Sequence, residues 1–344
     1  MTLAGFRRSP MSDATEPPEA RGLSRDGIKL LVARPGSISH GSFADLGRHL
    51  SAGDLLVVNN SATLPAAVVG SRDGQSIVVH FSSAISEHVW VCELRPGVSA
   101  TRHLPDIRSG ERIELPNDSA LTVTSSYPAP GVPGSRLWIS RLAVEGDVSS
   151  YLMRYGRPIR YAYVPREWPL RDYQTVFARL PGSAEMPSAA RPFSTELVTS
   201  LVASGIFIAP ITLHAGVSSA TPGEPPAPER FSVPSATARI VNMTKAAGGR
   251  VVAVGTTVTR ALESAASACG VVRPADGWTN LVVEPSRPVR VVDGLMTGWH
   301  DAGASHLLLL EAVAGPGLVD AAYREAVRHG YLWHEFGDSA LLLP

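Results

Sequence analysis

Several apolar runs in this chain stop on residues that can handle a small polar ligand. The stretch Arg250 to Glu263, RVVAVGTTVTRALE, passes from a strand-like run through Gly255, Thr256 and Thr257 straight into a helical pattern. Such a junction offers a ligand the free backbone N–H groups of a first helical turn and two hydroxyls, and the helix dipole favours negative charge there. A plainer use is open as well: Gly255 permits the turn and Thr257 caps the helix. Two other apolar runs end similarly, Leu55 to Val58 at Asn59 and Asn60, and IFIAPITL at His214. Convergence of the three ends at the carboxyl edge of one sheet is the economical expectation, although any strand must end in something polar to leave a core.

The elements that would position these residues belong to an ordinary globular chain. At 344 residues, 44% hydrophobic and 18% charged, the length suits two domains or one α/β unit with an insertion. The formal net charge is zero, so no global field draws the protein to nucleic acid or an anionic membrane. Lys29 and Lys245 are the only lysines, a bias toward arginine that fits a GC-rich genome. Cys92 and Cys269 have neither metal-binding nor disulfide-framework spacing, which suits a reducing cytoplasmic setting. No apolar run reaches the ~18 residues of a membrane span, and Asp13, Glu16 and Glu19 interrupt the place of a signal-peptide core. A soluble, non-exported protein with no membrane partner is expected.

Periodicity divides the chain into three parts. Residues 1–24 are polar and proline-interrupted and are expected to form a mobile tail. Residues 25–63 and 147–344 read as a main α/β domain: strands at IKLLVAR, LLVV, IFIAPITLH, VVAV, RPVRVVDGLMT and SALLL alternate with helical patterns. Within it, ISHGSFADLGRHL is expected to be helical through Phe43, Leu46 and Leu50, and FSTELVTSLVASG to be capped by Ser194, with Leu197, Leu201 and Val202 on one face. The segment AGVSSATPGEPPAPERFSVP has no period and reads as a long loop, which would be a lid, a binding loop or disordered. Between residues 64 and 146 the texture changes to short strands separated by turns such as Asp73-Gly74 and Asn117-Asp118, the pattern of a small antiparallel barrel or sandwich inserted into the main domain.

From about Ile28 to the C-terminus the chain resembles the S-adenosylmethionine:tRNA ribosyltransferase-isomerases of queuosine biosynthesis. The resemblance is carried in order by HGSFADLGRHLSAGDLLVVNN (40–60), DYQTVFA (172–178), TLHAG (212–216), RVVAVGTTVTRALE (250–263), VVDGLMTGWH (291–300) and FGDSALLL (336–343). It implies a main α/β domain interrupted by a β-barrel, and a reaction in which S-adenosylmethionine donates its ribosyl unit rather than its methyl group. The sulfonium acidifies C5′, a base removes a proton there, adenine and methionine depart, and an epoxycyclopentane forms on the aminomethyl group of a 7-deazaguanine wobble base. No metal is needed.

Placed on this sequence, that chemistry nominates His214 and His300 as proton carriers, since imidazole titrates nearest neutral pH; each could equally be a hydrogen-bonded structural histidine. Gly255, Thr256, Thr257 and Arg260 are candidates for the donor's methionine carboxylate, Tyr173 and Gln174 for other polar contacts, and Asn59, Asn60 and Glu229 for the substrate. The arginines at 154, 157, 160, 166 and 171 are candidates for tRNA phosphates, or else a solvated surface. The resemblance lapses where the family usually reads Asn-Asn-Thr-Arg and Pro-Ala-Arg; here Ala62 and Ala67 stand in place of the arginines. It lapses again where Pro192 replaces the histidine of Ala-Pro-Thr-Ala-Gly-Leu-His-Phe. Two further readings therefore stand beside the tRNA enzyme: an S-adenosylmethionine- or nucleoside-using enzyme with another acceptor, and a non-catalytic nucleoside-binding protein.

Overall fold

The computed structural model describes residues 13–97, 102–132, 134–218, 223–301 and 304–344. Lys29–Arg34 (β1) and Ser37–Ser42 (β2) form an antiparallel pair, and Leu55–Asn59 (β3) starts the sheet centre before a short strand, Ser61–Thr63 (β4), leads out of it. Six strands follow and close on themselves: Ala67–Arg72 (β5), Gln75–Ser86 (β6), Val89–Arg95 (β7), Arg112–Leu115 (β8), Ser119–Tyr127 (β9) and Leu137–Ala143 (β10), in the order β10-β7-β6-β5-β8-β9. Closure removes the exposed edges that such short strands would otherwise present. The barrel fills with its own apolar cluster, including Val79, Phe81, Trp90, Ile113 and Leu121, and a helix at Val148–Tyr155 (α1) packs onto it through Val148, Tyr151 and Leu152. Reciprocal backbone bonds between Ala67 and Arg157, 2.9 Å each, close the neck of the insertion.

The chain then rebuilds the main domain with Leu180–Ser183 (β11), Thr195–Ala203 (α2), Phe207–Leu213 (β12), Glu229–Val233 (β13), Ser235–Ala246 (α3), Val251–Val254 (β14) and Thr256–Ser264 (α4). Ala275–Thr279 (β15), Gly294–Thr297 (β16), His306–Ala314 (α5), Pro316–Arg328 (α6) and Ser339–Leu342 (β17) complete it. Nine strands make one sheet in the order β15-β13-β12-β3-β14-β16-β17-β1-β2. Its centre, β12-β3-β14-β16, is parallel, with antiparallel pairings toward both edges. Leu55 and Val57 of β3 point into the core under α3 to α6, and Leu56 and Val58 into the core on the opposite face with Phe193, Leu197 and Leu201. Burial on both faces is why this strand reads as an unbroken apolar run.

Four expectations change. The helix expected around Phe43 is a 3-10 segment, Phe43–His49, preceded by a strand; Phe43 and Leu46 are still fully buried, so the apolar spacing served a tighter turn. Ser194 does cap α2, accepting from the Leu197 N–H at 3.1 Å, but Val202 points outward, 55% exposed, while Leu197 and Leu201 are buried. The aperiodic segment after His214 contains a strand, since Glu229–Val233 is paired on both sides by β12 and β15. The expected tail lies partly outside the described residues, and from Asp13 onward it is seated. Ala14 donates to the Trp333 carbonyl, Arg21 donates to Phe336 O at 2.8 Å, and Glu19 pairs with buried Arg191 at 2.9 Å. Proline blocks regular structure there without preventing side chains from anchoring the segment.

Candidate active site

Parallel pairing puts the carboxyl ends of β12, β3, β14 and β16 on one edge, so the polar ends read from sequence do converge. A fourth joins them, Thr297 to His300 after β16. The order also reverses beside β3, whose neighbours β12 and β14 lie on opposite sides, and a crevice at such a reversal is where open α/β sheets bind ligands. A cavity of about 400 Å³ occupies that place, within the range usual for small-molecule sites. Gly255, Thr256, Thr257 and Arg260 line it from α4 and its entrance, Thr297 to His300 from the end of β16 and the turn after it, Ser83 and Arg136 from the barrel, Glu224 to Ala227 from the segment before β13, and Glu229 from the start of that strand. The inserted barrel thus supplies one wall.

The start of α4 has the features that favour an anion. Gly255 has φ +99°, a conformation that side-chain-bearing residues rarely adopt, and a Cβ there would press on Ala189. No side chain caps the helix, so its first N–H groups face the cavity beside two threonine hydroxyls. Thr257 does not act as a cap; its hydroxyl accepts from Asn59 Nδ2 at 3.3 Å.

Several residues expected in the site instead hold its frame. Asn59 is fully buried: its Oδ1 accepts from the Ser61 and Leu213 N–H groups at 3.0 and 3.1 Å, and its Nδ2 donates to Leu213 O at 2.8 Å as well as to Thr257. One side chain so ties β3, β12 and α4 together. Asn60 accepts from the Thr212 hydroxyl, and Gln174 bonds both the N–H and the C=O of Thr63. His214 turns aside to Ser61, Nδ1 to Oγ 2.7 Å, with Ser61 in turn 2.7 Å from Ser183 Oγ. The glycine at 182 leaves room for its ring, because a Cβ there would collide with it. None of these four lines the cavity.

Arg260 lines it but is already engaged. Its guanidinium forms a close ion pair with Glu229 and donates to the carbonyls of Leu281 at 3.0 Å and Thr279 at 3.3 Å. Glu229 also accepts from the Gly216 N–H at 2.8 Å. The pair therefore reads as a strut in the wall rather than a free anion receptor. Tyr173 borders the cavity, buried against Phe336.

The charge of the lining is lopsided: two arginines, Arg136 and Arg260, against five carboxyl groups, Glu185, Glu224, Glu229, Asp301 and Glu335. Both arginines are paired with glutamates of the wall. His300 stacks on His306 at 4.5 Å, its Nε2 lies 3.2 Å from the Thr297 hydroxyl, and burial, with His306 and His334 nearby, keeps it neutral far below its usual titration range. Burial drives Glu335 the other way, up to about 7, reinforced by Glu185 and Asp13 although the Tyr163 hydroxyl bonds it at 2.6 Å. Glu185 is also raised by burial, against opposing hydrogen bonds from Tyr161 and Ser218.

Glu185, Glu335, Tyr161, Tyr163 and His306 were not singled out from sequence. The signal available was slight: Glu335 immediately precedes the FGDSALLL match, and Glu185 lies in a loop between two matches. Arg154, Arg157 and Arg160, three apart in sequence, do not share a helix face, because α1 ends at Tyr155. Arg157 pairs with Glu167 at 2.8 Å, Arg160 holds the carbonyls of Val164 and Pro165, and Arg166 lies over Trp168 at 3.9 Å. Arg157 and Arg160 line a second cavity of about 310 Å³ that shares Pro158 and Tyr173 with the first. Away from both, His40, Glu325 and His329 bring possible metal-ligand atoms within 4.8 Å of one another, among the described residues.

A model of the family described as queuosine biosynthesis protein matches residues 6–342. The chain belongs to that family. The S-adenosylmethionine:tRNA ribosyltransferase-isomerase of Symbiobacterium thermophilum is 36% identical over 341 residues, covering 96% of each chain. That of Moorella thermoacetica is 35% identical over 349 residues, covering 98% of each. The crystal structure of the S-adenosylmethionine tRNA ribosyltransferase of Thermotoga maritima is similar along 99% of this chain and all of its own, with a TM-score of 0.55 at 26% identity. Full-length similarity includes the barrel as well as the sheet, so both walls of the cavity belong to the family's architecture.

Proposed function

We propose that this family member is a transferase and isomerase that moves the ribosyl unit of S-adenosylmethionine onto a 7-aminomethyl-7-deazaguanine wobble base of tRNA, yielding epoxyqueuosine. The observation that carries the reading is the pairing, in one cavity, of an uncapped helix N-terminus with a surplus of carboxyl groups. S-adenosylmethionine has a carboxylate for the first and permanent sulfonium charge for the second. Thr256, Thr257 and the first N–H groups of α4 take the carboxylate. His300 serves as a neutral imidazole near adenine, able to exchange a proton without setting a second positive charge beside the sulfonium. His214 has a positioning role through Ser61 and Ser183, and the Arg260–Glu229 strut fixes the wall. Residues 224–227 cover one side and help exclude water from the acidic C5′. The second cavity, by Arg157 and Arg160, receives tRNA next to the reacting base.

Purified protein with S-adenosylmethionine and a tRNA carrying the aminomethyl base is expected to release adenine. Its absence under saturating conditions would sink the proposal. Adenine release that needs no tRNA favours the reading with a different acceptor, for which the internally paired state of Arg157 and Arg160 is the supporting observation.

A further inference from the structure

Glu185 and Glu335 are separated by 150 positions of chain and border the same cavity. Each is met by a tyrosine hydroxyl, Tyr161 on Glu185 and Tyr163 on Glu335. The Tyr161 and Tyr163 rings stack at 5.9 Å and 21°, and Tyr163 stacks on His334 at 4.0 Å and 10°. An aromatic array therefore stands beside two carboxyl groups.

Their partners make the two carboxyls unequal. Glu185 accepts from Tyr161 and from both the N–H and the hydroxyl of Ser218, the latter two at 2.7 Å, bonds that offset part of the effect of its burial. Glu335 is half-buried at the cavity wall and, apart from Tyr163 and its own N–H, receives no donor from the described residues. Arg95 lies over the Tyr161 ring and pairs with Glu93, and Arg160 is held by backbone carbonyls. Among the described residues, no arginine or lysine is paired with Glu335. A carboxylate enclosed in this way, with an oxygen left unpartnered at a cavity, is matched by a ligand that brings its own positive charge and N–H donors.

We propose that the Glu185–Glu335 end of the cavity is the subsite for a primary ammonium group borne by a flat heteroaromatic acceptor, with Glu335 as the group that deprotonates it. This rests on the function proposed above, whose acceptor is an aminomethyl base. In the step, one N–H bond of the ammonium breaks, its electron pair stays on nitrogen as the nucleophilic amine, and the proton passes to a Glu335 oxygen. Glu185, fixed in position by Ser218 and Tyr161, accepts from the ammonium and keeps it in place as the proton leaves.

Binding of free bases to the whole protein tests this without requiring turnover. Calorimetry is expected to show 7-aminomethyl-7-deazaguanine binding at least about tenfold more tightly than the neutral analogue with a nitrile in place of the aminomethyl group, the order expected of a charge-assisted hydrogen bond. In Glu335→Gln that preference should collapse toward unity while S-adenosylmethionine affinity falls by much less than the affinity for the amine; Glu335→Asp should restore part of it. Equal binding of amine and nitrile by the unmodified protein, or no binding of either, overturns the proposal even if the variant does not fold. An equal loss of S-adenosylmethionine binding in Glu335→Gln also overturns it, assigning the subsite to the donor's own ammonium. Loss of adenine release with the amine preference intact would refute the tRNA reaction and leave the subsite standing.

Discussion

Replacing Glu335 by glutamine should make the protein's stability less sensitive to pH, in a direction and by an amount that the structure sets. The carboxyl titrates near 4.5 when exposed and at about 7 in the folded protein, because burial and the neighbouring Glu185 and Asp13 disfavour its charge. Below pH 4.5 it is protonated whether the chain is folded or not, and no penalty arises. Between 4.5 and 7 the folded state keeps a proton that the unfolded chain releases, so stability falls as pH rises. Above 7 both states are ionised and the full penalty remains, up to about 3 kcal/mol from the separation of the two values. Glutamine can still accept from Tyr163 and has nothing to titrate. Any loss of fit it causes is a constant offset, whereas the difference between the two proteins should change by up to about 3 kcal/mol in favour of Glu335→Gln from pH 4.5 to 8. Urea unfolding at half-unit steps of pH measures that difference, and other titrating groups largely cancel from it. Parallel stability curves would refute the reasoning, since they would mean that Glu335 is solvated in the folded protein.

Asn59→Ala removes four hydrogen bonds at a fully buried position and leaves the Ser61 and Leu213 N–H groups without their acceptor; chemical denaturation should show a loss of about 2–4 kcal/mol. Gly156→Ala puts a methyl group against the Pro65 carbonyl at the neck of the barrel and should cost at least about 1–3 kcal/mol, while Gly41→Ala, with no atom within 4 Å of the added carbon, should cost far less on the same melting assay. Arg260→Met should destabilise by about 3–5 kcal/mol by stranding Glu229, and the double change with Glu229→Gln should recover part of that loss; additive losses in the denaturation cycle would show that the strut is not coupled.

Much of the frame was legible locally because its causes are local. The two-sided apolar runs of β3 and β14, the Ser194 cap and the Gly255 turn follow from residue types a few positions apart. The short alternating strands of 64–146 announced a small antiparallel barrel or sandwich, and the fold closes them into a barrel, which hides their edges. Where local reading failed, a distant partner had decided. Phe43 and Leu46 had a helix's spacing but entered from an antiparallel strand into a 3-10 turn, and the proline-rich stretch after Asp13 was anchored by Arg191 and the chain around Trp333.

The same division runs through the candidate site. Sequence by itself determined that polar groups would end the central strands and that a helix N-terminus would open beside Thr256 and Thr257, because both follow from the order of residues along one element. Only the tertiary structure decided which polar groups face the cavity. It turned His214 and Asn59 into the frame and kept His300 in the lining, although all three stand at or just beyond strand ends. It also joined Glu185 to Glu335 across 150 residues and shifted their protonation, since proximity and desolvation are properties of the packed chain and leave no trace in the spacing of either glutamate.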